Sequence, residues 1–402
     1  MKDFDIYRMK RRLDSLLKKV ENSSILKKNK DIILKFYDYA LSIGLSKPRI
    51  CTYLIVLPQF SEWLDIPFTE TSKENIRKLA RKIEQGDYTE FTKNQYKAIL
   101  KRFYKWLNGD EEYPEKVKWI KTSCRKTKRK QPEGLITKEE LEKMIDLADH
   151  IRDKALVSLT YESGFRIGEV LTLRIQHIVF DEYGAKIQVG EGKTGMRRIR
   201  IVSSAPYLAN WIENHPFRDK PEAPLWISTG TRNKNKIICY ESARRIFLKL
   251  AKRANIKKRI HPHLFRHTQA TELASSFTEA QMNQYFGWVQ GSDMPSTYVH
   301  LSGRDLDGAV LKLHGLKEGD EIKKENFSPK KCHRCEKMNP PTGKFCLRCG
   351  APLDLETVMK VEEKRNEMDN IMAMLMKDLL KDPEIQARIE NKLEQIKAKV
   401  QL

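Results

Sequence analysis

Apolar residues recur at helical spacing through the first hundred residues of the chain. The segments KDIILKFYDYALSIG and TKNQYKAILKRFYKWLNG both show this spacing, and each ends at a glycine, as helices often do. In the second segment, Tyr96, Leu100 and Phe103 alternate with basic residues, which fits either a packed core face or a helix lying along a DNA groove. We predict a short basic helix over residues 1–22 and a helical domain over residues 23–109.

Residues 110–134 break this periodicity and are rich in positive charge. Six of the ten residues from Lys121 to Lys130 are lysine or arginine, so the stretch cannot pack on itself and is predicted to be an extended linker. Next to DNA it would follow the phosphate backbone, where each contact releases condensed counterions. The candidate contacts are Arg125, Lys126, Lys128, Arg129 and Lys130.

A second domain begins at the segment LITKEELEKMI. Thr137 and Glu140 have the spacing of a capping box, and Ile136 is placed to act as a hydrophobic staple. The pattern stays mainly helical as far as residue 316, except that AKIQVG and RRIRIVS alternate apolar and charged residues around the turn EGKTGM. We therefore predict a mainly α (α+β) fold, in which a helical domain precedes a mixed α/β domain over residues 135–316 with a small antiparallel sheet.

Four of the seven cysteines form two Cys-x-x-Cys pairs, separated by ten residues, within residues 330–353. This spacing predicts a zinc ribbon, in which two tight turns each supply two thiolates to a tetrahedral structural Zn²⁺; a redox pair or an iron site is the alternative. The predicted ligands are Cys332, Cys335, Cys346 and Cys349. The ribbon would serve as a folding staple or protein contact, or as a further DNA contact through Arg334, Lys344 and Arg348.

The tail over residues 354–402 is predicted to be helical. Residues 359–380 carry an apolar stripe, and Asp382 with Pro383 has the pattern that starts a second helix. Such helices would pack on each other, on the rest of the chain or on a neighbouring subunit.

The net charge of the chain predicts the kind of partner that it binds. The formal charge of +22 and the pI near 9.5 favour a polyanion, nucleic acid before an anionic membrane, unless they reflect a lysine-rich proteome. The most apolar run, Thr52–Leu57, is too short to span a bilayer, and the first residues lack the apolar core of a secretory signal. Because paired cysteines of this kind suit a reducing compartment, we predict a soluble, cytoplasmic protein that binds no membrane.

Two motifs early in the second domain carry candidate chemistry. In YESGFRIGEVLTLR, Arg166 begins a helix and shares a face with Glu169, which taken alone fits a structural salt bridge. Lys193 lies between glycines at the turn of the predicted hairpin, a position that a solvated lysine also occupies. A mobile turn of this kind would also bring an ammonium group to a substrate.

Two further motifs follow. HPHLFRHT places His263 and Arg266 three residues apart on one helix face, and an arginine beside a histidine disfavours a metal site. In QYFGWVQGSDMPSTYVHLSGRD, Trp288 follows a glycine, and Tyr298 follows a polar loop that is a poor context for a core residue. Each motif alone has an ordinary structural explanation.

The order of these motifs resembles the tyrosine recombinase (phage integrase) family. An arginine, a lysine on a β-turn, His-x-x-Arg, Gly-Trp and a tyrosine about ten residues later occur in that sequence over residues 135–316. Residues 23–109 look like the core-binding domain of the same family. The resemblance implies a site-specific DNA recombinase or integrase that cuts and rejoins strands through a 3′-phosphotyrosyl intermediate, with no catalytic cofactor.

The resemblance also implies roles for individual residues. Tyr298 would attack the phosphodiester, and Arg166 with Arg266 would bind its non-bridging oxygens. Lys193 would protonate the departing 5′-oxygen, and His263 would hydrogen-bond the phosphate and help with the tyrosine proton. We prefer His263 to its neighbours His261 and His267 because it alone has the two-residue spacing to Arg266.

Two positions qualify the resemblance. Trp288 stands where the family more often has histidine, and its indole N–H would still donate to the phosphate. Glu169 matches an acidic position that supports the site rather than reacts.

The expected partners are double-stranded DNA with a specific recombination site and further copies of the chain, as a tetramer on DNA. An appended zinc ribbon suggests an archaeal integrase. The alternatives are a type IB-like DNA relaxing enzyme and a catalytically inactive DNA-binding regulator.

Overall fold

Two large hydrophobic cores organise the first 300 residues of the chain. The computed structural model describes residues 4–122, 134–192, 195–299 and 328–379. One core lies in the N-terminal helical domain and the other in the mixed domain that follows it.

The N-terminal domain is built from helices alone within the described residues. They are α1 (Met9–Glu21), α2 (Lys27–Ser42), α3 (Lys47–Leu64), α4 (Lys73–Gln85) and α5 (Glu90–Leu107). Phe36 and Phe103 meet edge to face in its core, with ring centroids 5.5 Å apart. Leu100 and Phe103 are fully buried, so the apolar stripe of α5 is a core face, which was one of the two predicted interpretations.

The predicted linker is partly folded onto this domain. A short helix, α6 (Glu115–Lys118), begins after Pro114, and Val117 and Ile120 are buried in the N-terminal core. The prediction of an extended linker is therefore wrong for this part, because two apolar side chains three residues apart outweigh the surrounding charge. The five candidate DNA contacts between residues 125 and 130 lie outside the described residues.

The first residues of the chain pack on the second domain instead of the first. Ile6 is buried in the second core, and its carbonyl accepts a hydrogen bond of 2.9 Å from the backbone N–H of Tyr240. The Arg174 guanidinium lies 4.4 Å from the centroid of the Phe4 ring. The predicted helix over residues 1–22 thus starts only at Met9. The chain crosses from the second domain to the first at Arg8, whose φ is +52°.

The second domain surrounds the buried helix α8 (Ile151–Ser163). Its other helices are α7 (Lys138–Asp146), α9 (Ile167–Leu171), α10 (Ala205–Glu213), α11 (Tyr240–Arg253), α12 (Pro262–Ala274), α13 (Glu279–Phe286) and α14 (Met294–Val299). The predicted capping box starts α7, where Glu140 accepts from the N–H of Thr137 at 2.9 Å.

The sheet of this domain has three strands in the order β1-β2-β3, all antiparallel: β1 (Ile178–Asp181), β2 (Gly184–Gly192) and β3 (Gly195–Ile201). The predicted hairpin corresponds to β2 and β3, in which Ile187 pairs with Ile199. The sequence pattern missed β1, where only Ile178 is well buried, so its alternation is weak.

A small two-stranded module follows, with β4 (Lys330–Lys331) and β5 (Met338–Asn339), and then α15 (Leu355–Leu379). The module contacts α10, where the Tyr207 hydroxyl lies 2.7 Å from the Thr342 hydroxyl. Apolar side chains such as Met368 and Ile371 are exposed on α15, and the predicted second tail helix lies outside the described residues. In the part of the chain that is described, no helix is both long and apolar enough to cross a membrane.

Candidate active site

Arg266 is a buried cation at the centre of the candidate site. Pro262 in the first turn starts α12, which places Arg266 one turn later, with 2% of the residue exposed. Its guanidinium donates to the carbonyls of Gly164, at 2.9 Å, and Phe286, at 2.7 Å. Burial and the charge of Arg166 lower the pKa of Arg266 to about 9, so the group stays positive at neutral pH.

Arg166 is the exposed counterpart of Arg266. Helix α8 ends at Gly164, whose φ is +55° and where a Cβ would lie 2.6 Å from the Phe286 ring. The chain then turns so that Arg166 caps α9, with 49% of its side chain exposed. Its Nη2 lies 3.5 Å from the carbonyl oxygen of Gly287. The Arg266 guanidinium is therefore buried in the protein, and the Arg166 guanidinium reaches solvent beside it.

Glu169 fixes Arg166 from the next turn of α9. Its Oε2 accepts from the backbone N–H of Arg166 at 2.8 Å, and its Oε1 accepts from Nη1 of the same residue at 3.1 Å. Burial alone would raise the pKa of Glu169, but hydrogen bonds and charge from Arg197 and Arg166 lower it below its ordinary value. The carboxylate is therefore a charged support for the arginine.

Arg197 is a functional residue that the sequence analysis missed. Its guanidinium donates to both oxygens of Glu169, at 3.2 and 2.8 Å, and its Nε donates to the carbonyl of Tyr285 at 3.1 Å. On β3, residues 197, 199 and 201 point inward, so Arg197 shares the buried face with two isoleucines. An arginine at the same alternate positions as two isoleucines was the feature of the sequence from which a buried arginine could have been predicted.

Tyr298 lies in a small apolar cluster, with 3% of the residue exposed. The polar loop before it suggested a tyrosine outside a core, and this expectation is wrong, because α14 turns the ring back onto α12 and α13. The ring stacks on Trp288, which in turn stacks on Phe286. The Tyr298 hydroxyl lies 2.7 Å from Nδ1 of His267.

The histidine that contacts the tyrosine is thus His267, one of the two neighbours to which His263 was preferred. The two histidines are four residues apart on α12, and their ring centroids are 4.6 Å apart. Because His267 lies one turn further toward α14, it becomes a second candidate for the residue that handles the tyrosine proton, and the preference for His263 stays a prediction. His263 stays exposed, and its role toward the phosphate stays a prediction.

Six of the predicted residues come together here: Arg166, Glu169, His263, Arg266, Trp288 and Tyr298. The seventh, Lys193, lies outside the described residues, at the hairpin turn where Gly192 pairs with Gly195. The arrangement provides two guanidinium groups for an anion and a hydroxyl nucleophile next to a histidine.

The four predicted cysteines form a separate candidate metal centre. Their Sγ atoms all lie within 4.8 Å of one another, with 3.6 Å between Cys332 and Cys349 and 3.5 Å between Cys335 and Cys346. A tetrahedral ion with metal–sulfur bonds of about 2.3 Å requires sulfur–sulfur distances of about 3.8 Å. The residue after each pair, Glu336 or Gly350, has positive φ, so the two turns have the same shape. These four thiols are thus arranged to bind a metal ion.

Comparisons with known proteins agree with this geometry. Residues 135–304 match the model of the phage integrase family. A tyrosine recombinase of Pseudothermotoga lettingae is 29% identical over 72% of this chain and 99% of its own length. The tyrosine recombinase XerA of Pyrococcus horikoshii is 26% identical over 71% of this chain and 94% of its own.

Solved structures show the same fold. The XerH recombinase bound to palindromic difH substrate is 18% identical, with a TM-score of 0.55 over 76% of this chain and 89% of the other. A lambda integrase dimer bound to a core site is 17% identical, with a TM-score of 0.54 over 74% of this chain and 82% of the other.

Proposed function

This chain belongs to the phage integrase family of tyrosine recombinases, and we propose that it cleaves and rejoins DNA at a specific site through Tyr298. The observation that carries the proposal is the position of Tyr298: its hydroxyl is hydrogen-bonded to His267, and its ring stacks on Trp288, whose indole the Arg266 guanidinium also contacts. A phenol attacks phosphorus effectively only where its proton can leave and the phosphate charge is stabilised.

In the proposed cleavage step, Oη of Tyr298 forms a bond to phosphorus while the bond from phosphorus to the 5′-oxygen breaks. Arg166 and Arg266 stabilise the charge on the non-bridging oxygens, and a lost donor of this kind typically costs about 10²–10³ in rate. Lys193 gives a proton to the departing 5′-oxygen. The phosphotyrosyl bond conserves the energy of the broken bond, so a 5′-hydroxyl can later reverse the step without ATP.

Positioned cations are the main catalytic requirement of such a transfer. The proposal therefore includes no catalytic cofactor, and the two guanidinium groups supply the charge stabilisation.

We assign the cysteine cluster to a structural Zn²⁺ held by Cys332, Cys335, Cys346 and Cys349. Zn²⁺ suits four thiolates, and a closed site of this type contributes to folding and not to catalysis. Backbone N–H groups of Arg334 and Arg348 point at ligand sulfurs at 3.4 Å, as expected for thiolates that accept hydrogen bonds. The ribbon would thereby be held rigid against α10.

The proposed partners are double-stranded DNA and further copies of the chain. The lambda integrase dimer bound to a core site supports assembly on DNA, and a tetramer on two paired sites remains our prediction. A DNA substrate and reduced cysteines favour the cytoplasm. The archaeal origin stays a prediction, since the similar recombinases come from both Pyrococcus and Pseudothermotoga.

A covalent-adduct assay tests the function. Nicked, labelled duplexes from the sequence flanking the gene are incubated with the protein and run on a denaturing gel. We expect a slow-migrating adduct with the wild type, none with Tyr298→Phe despite unchanged DNA affinity, and a slowed reaction with Lys193→Ala. An adduct with Tyr298→Phe would refute the assignment, and binding without any adduct would favour the inactive regulator.

Strand exchange between two labelled duplexes separates the remaining alternative. A recombinase joins the two duplexes, whereas a type IB-like relaxing enzyme forms the adduct and reseals only the original strand.

A further inference from the structure

The Tyr298 hydroxyl must lose its proton as it attacks phosphorus, and the family resemblance assigned that proton to His263. The structure instead places Nδ1 of His267 2.7 Å from the hydroxyl, which is within hydrogen-bond distance. We propose that His267 accepts the Tyr298 proton during cleavage and returns it during rejoining. This inference rests on the proposed function.

The surroundings of Tyr298 fix this hydrogen bond. The tyrosine ring is almost parallel to the Trp288 indole, at 5° and 5.5 Å, so its rotation about the long axis is restricted. The His267 ring packs edge to face against the His263 ring, with the two ring centroids 4.6 Å apart. Both partners of the bond are therefore pre-positioned before any DNA is bound.

The charge state of His267 suits a proton acceptor. Burial, followed by the charges of His261 and Arg266, lowers the pKa of His267 below its usual value near 6.5, so the ring is neutral at pH 7. In a neutral ring whose Nδ1 accepts a hydrogen bond, Nε2 carries the proton. The Tyr298 O–H is then the donor, as deprotonation requires.

Several groups surround His267 in the described part of the chain. From α12 and the residue before it come His261, His263 and Arg266, and from α14 comes Tyr298. The positive charge of Arg266 limits the basicity of His267 and so helps it to return the proton when the strand is rejoined.

His263 and His267 therefore have different tasks. The His263 side chain reaches solvent, but partial loss of hydration at its ring, together with the nearby His267 and Arg266, lowers its pKa, so it is a neutral donor available to the phosphate. The proton moves from Oη of Tyr298 to Nδ1 of His267 as the O–P bond forms, while the 5′-oxygen receives a different proton from Lys193. The proton that leaves Tyr298 and the proton that reaches the 5′-oxygen thus each have a named donor and a named acceptor.

The first test compares His267→Asn with the wild type, using the duplex that gives the wild-type adduct. Asparagine keeps a hydrogen-bonding atom near the position of Nδ1 but is not basic. We expect adduct formation to slow by about 10²-fold or more, with unchanged DNA binding, because general bases contribute about 10²–10⁴. His261→Asn is the matched control, since His261 contacts the Arg259 carbonyl at 3.2 Å, and it should react at nearly the wild-type rate.

A second readout separates the two proton transfers. A 5′-bridging phosphorothiolate has a leaving group that needs no proton, so it should restore the rate of Lys193→Ala and leave His267→Asn slow. The wild-type rate should fall as the pH drops through the lowered pKa of His267, and His267→Asn should lose this fall. Imidazole in the buffer should partly restore His267→Ala, which also serves if the asparagine variant is unstable.

Wild-type rates in both His267 variants would overturn the inference while leaving the proposed function intact. Rescue of His267→Asn by the phosphorothiolate would also overturn it, because His267 would then act on the leaving group. An adduct with Tyr298→Phe would instead refute the proposed function, and the inference with it.

Discussion

The rings of Tyr298 and Trp288 lie parallel, 5.5 Å apart, with an angle of 5° between them. Trp288 is also stacked on Phe286, at 4.8 Å, and the Arg266 guanidinium lies 5.5 Å from the centre of its indole. One side chain thus connects the proposed nucleophile to the buried cation.

Replacement of Trp288 should distinguish stacking from hydrogen bonding. Trp288→Ala removes the whole stack and should destabilise the fold by about 3 kcal/mol and slow adduct formation strongly. Trp288→Phe keeps one aromatic ring against Tyr298 and loses the indole N–H with the second ring, so it should be more stable and faster than the alanine variant. Urea unfolding and the adduct assay measure both effects, and equal rates for the two variants would contradict a positioning role for the stack.

The pair of Arg197 and Glu169 should be strongly coupled. Arg197→Met takes away the two hydrogen bonds that Arg197 donates to a largely buried carboxylate and leaves it only those from Arg166, and the expected cost is about 3 kcal/mol of unfolding free energy. The double variant Arg197→Met/Glu169→Gln removes the charge that has lost this partner and should recover part of that loss. A double-mutant cycle by urea unfolding measures the coupling, and purely additive effects would argue against it.

The same pair predicts a dependence of stability on acid. The folded pKa of Glu169 is lowered, so its contribution is fully present above the unfolded pKa near 4.3 and is lost as the pH falls through the folded value. The wild type should therefore lose more stability below about pH 4 than Glu169→Gln does. Thermal unfolding between pH 3 and pH 7 is the measurement, and identical slopes for the two proteins would contradict the shift.

Metal binding should depend on the four clustered thiols and not on the other cysteines. We expect Cys346→Ser to lose most of the bound zinc and to expose the ribbon to protease, because three thiolates no longer close the site. Cys239→Ser changes a buried free cysteine outside the cluster and is the control. Elemental analysis of the purified chain gives the metal content, and full zinc in Cys346→Ser would exclude this cluster as the site.

The N-terminal segment should stabilise the second domain. Ile6→Asp puts a charge into the second core, where Ile6 is 4% exposed, and should release residues 4–7 from Tyr240 and Arg174. Trypsin should then cut after Arg8 faster than in the wild type. The exposed Tyr183→Asp is a control for added charge, and an unchanged cleavage rate in Ile6→Asp would show that the segment is not held there.

The order of short motifs was enough to predict much of the site. Arg166, Glu169, Arg266 and Tyr298 were predicted because the order and spacing of their motifs resemble those of the tyrosine recombinase family. His267 was passed over because spacing alone does not tell which histidine meets a residue on another helix.

Arg197 was missed for a different reason. In RRIRIVS, Arg198 and Arg200 alternate with two isoleucines and so mark a solvated face, and the charge of Arg197 made it look like a third member of that face although it is in phase with the isoleucines. Only the structure shows the carboxylate from another element that Arg197 meets on the buried side. The buried Val117 and the docked Phe4 likewise depend on contacts with distant residues, which leave no local periodicity.

The crossover at Arg8 also has a consequence for biosynthesis. Ile6 leaves the ribosome well before Tyr240, whose backbone N–H it accepts from and which lies 234 residues later in the sequence. At about 5–20 residues per second, synthesis of that interval takes roughly 12–47 s. Helices α1 to α5 can assemble in that time, while residues 4–7 still lack Tyr240, the residue to which they hydrogen-bond. Residues 4–7 can therefore dock only after Tyr240 has been synthesised.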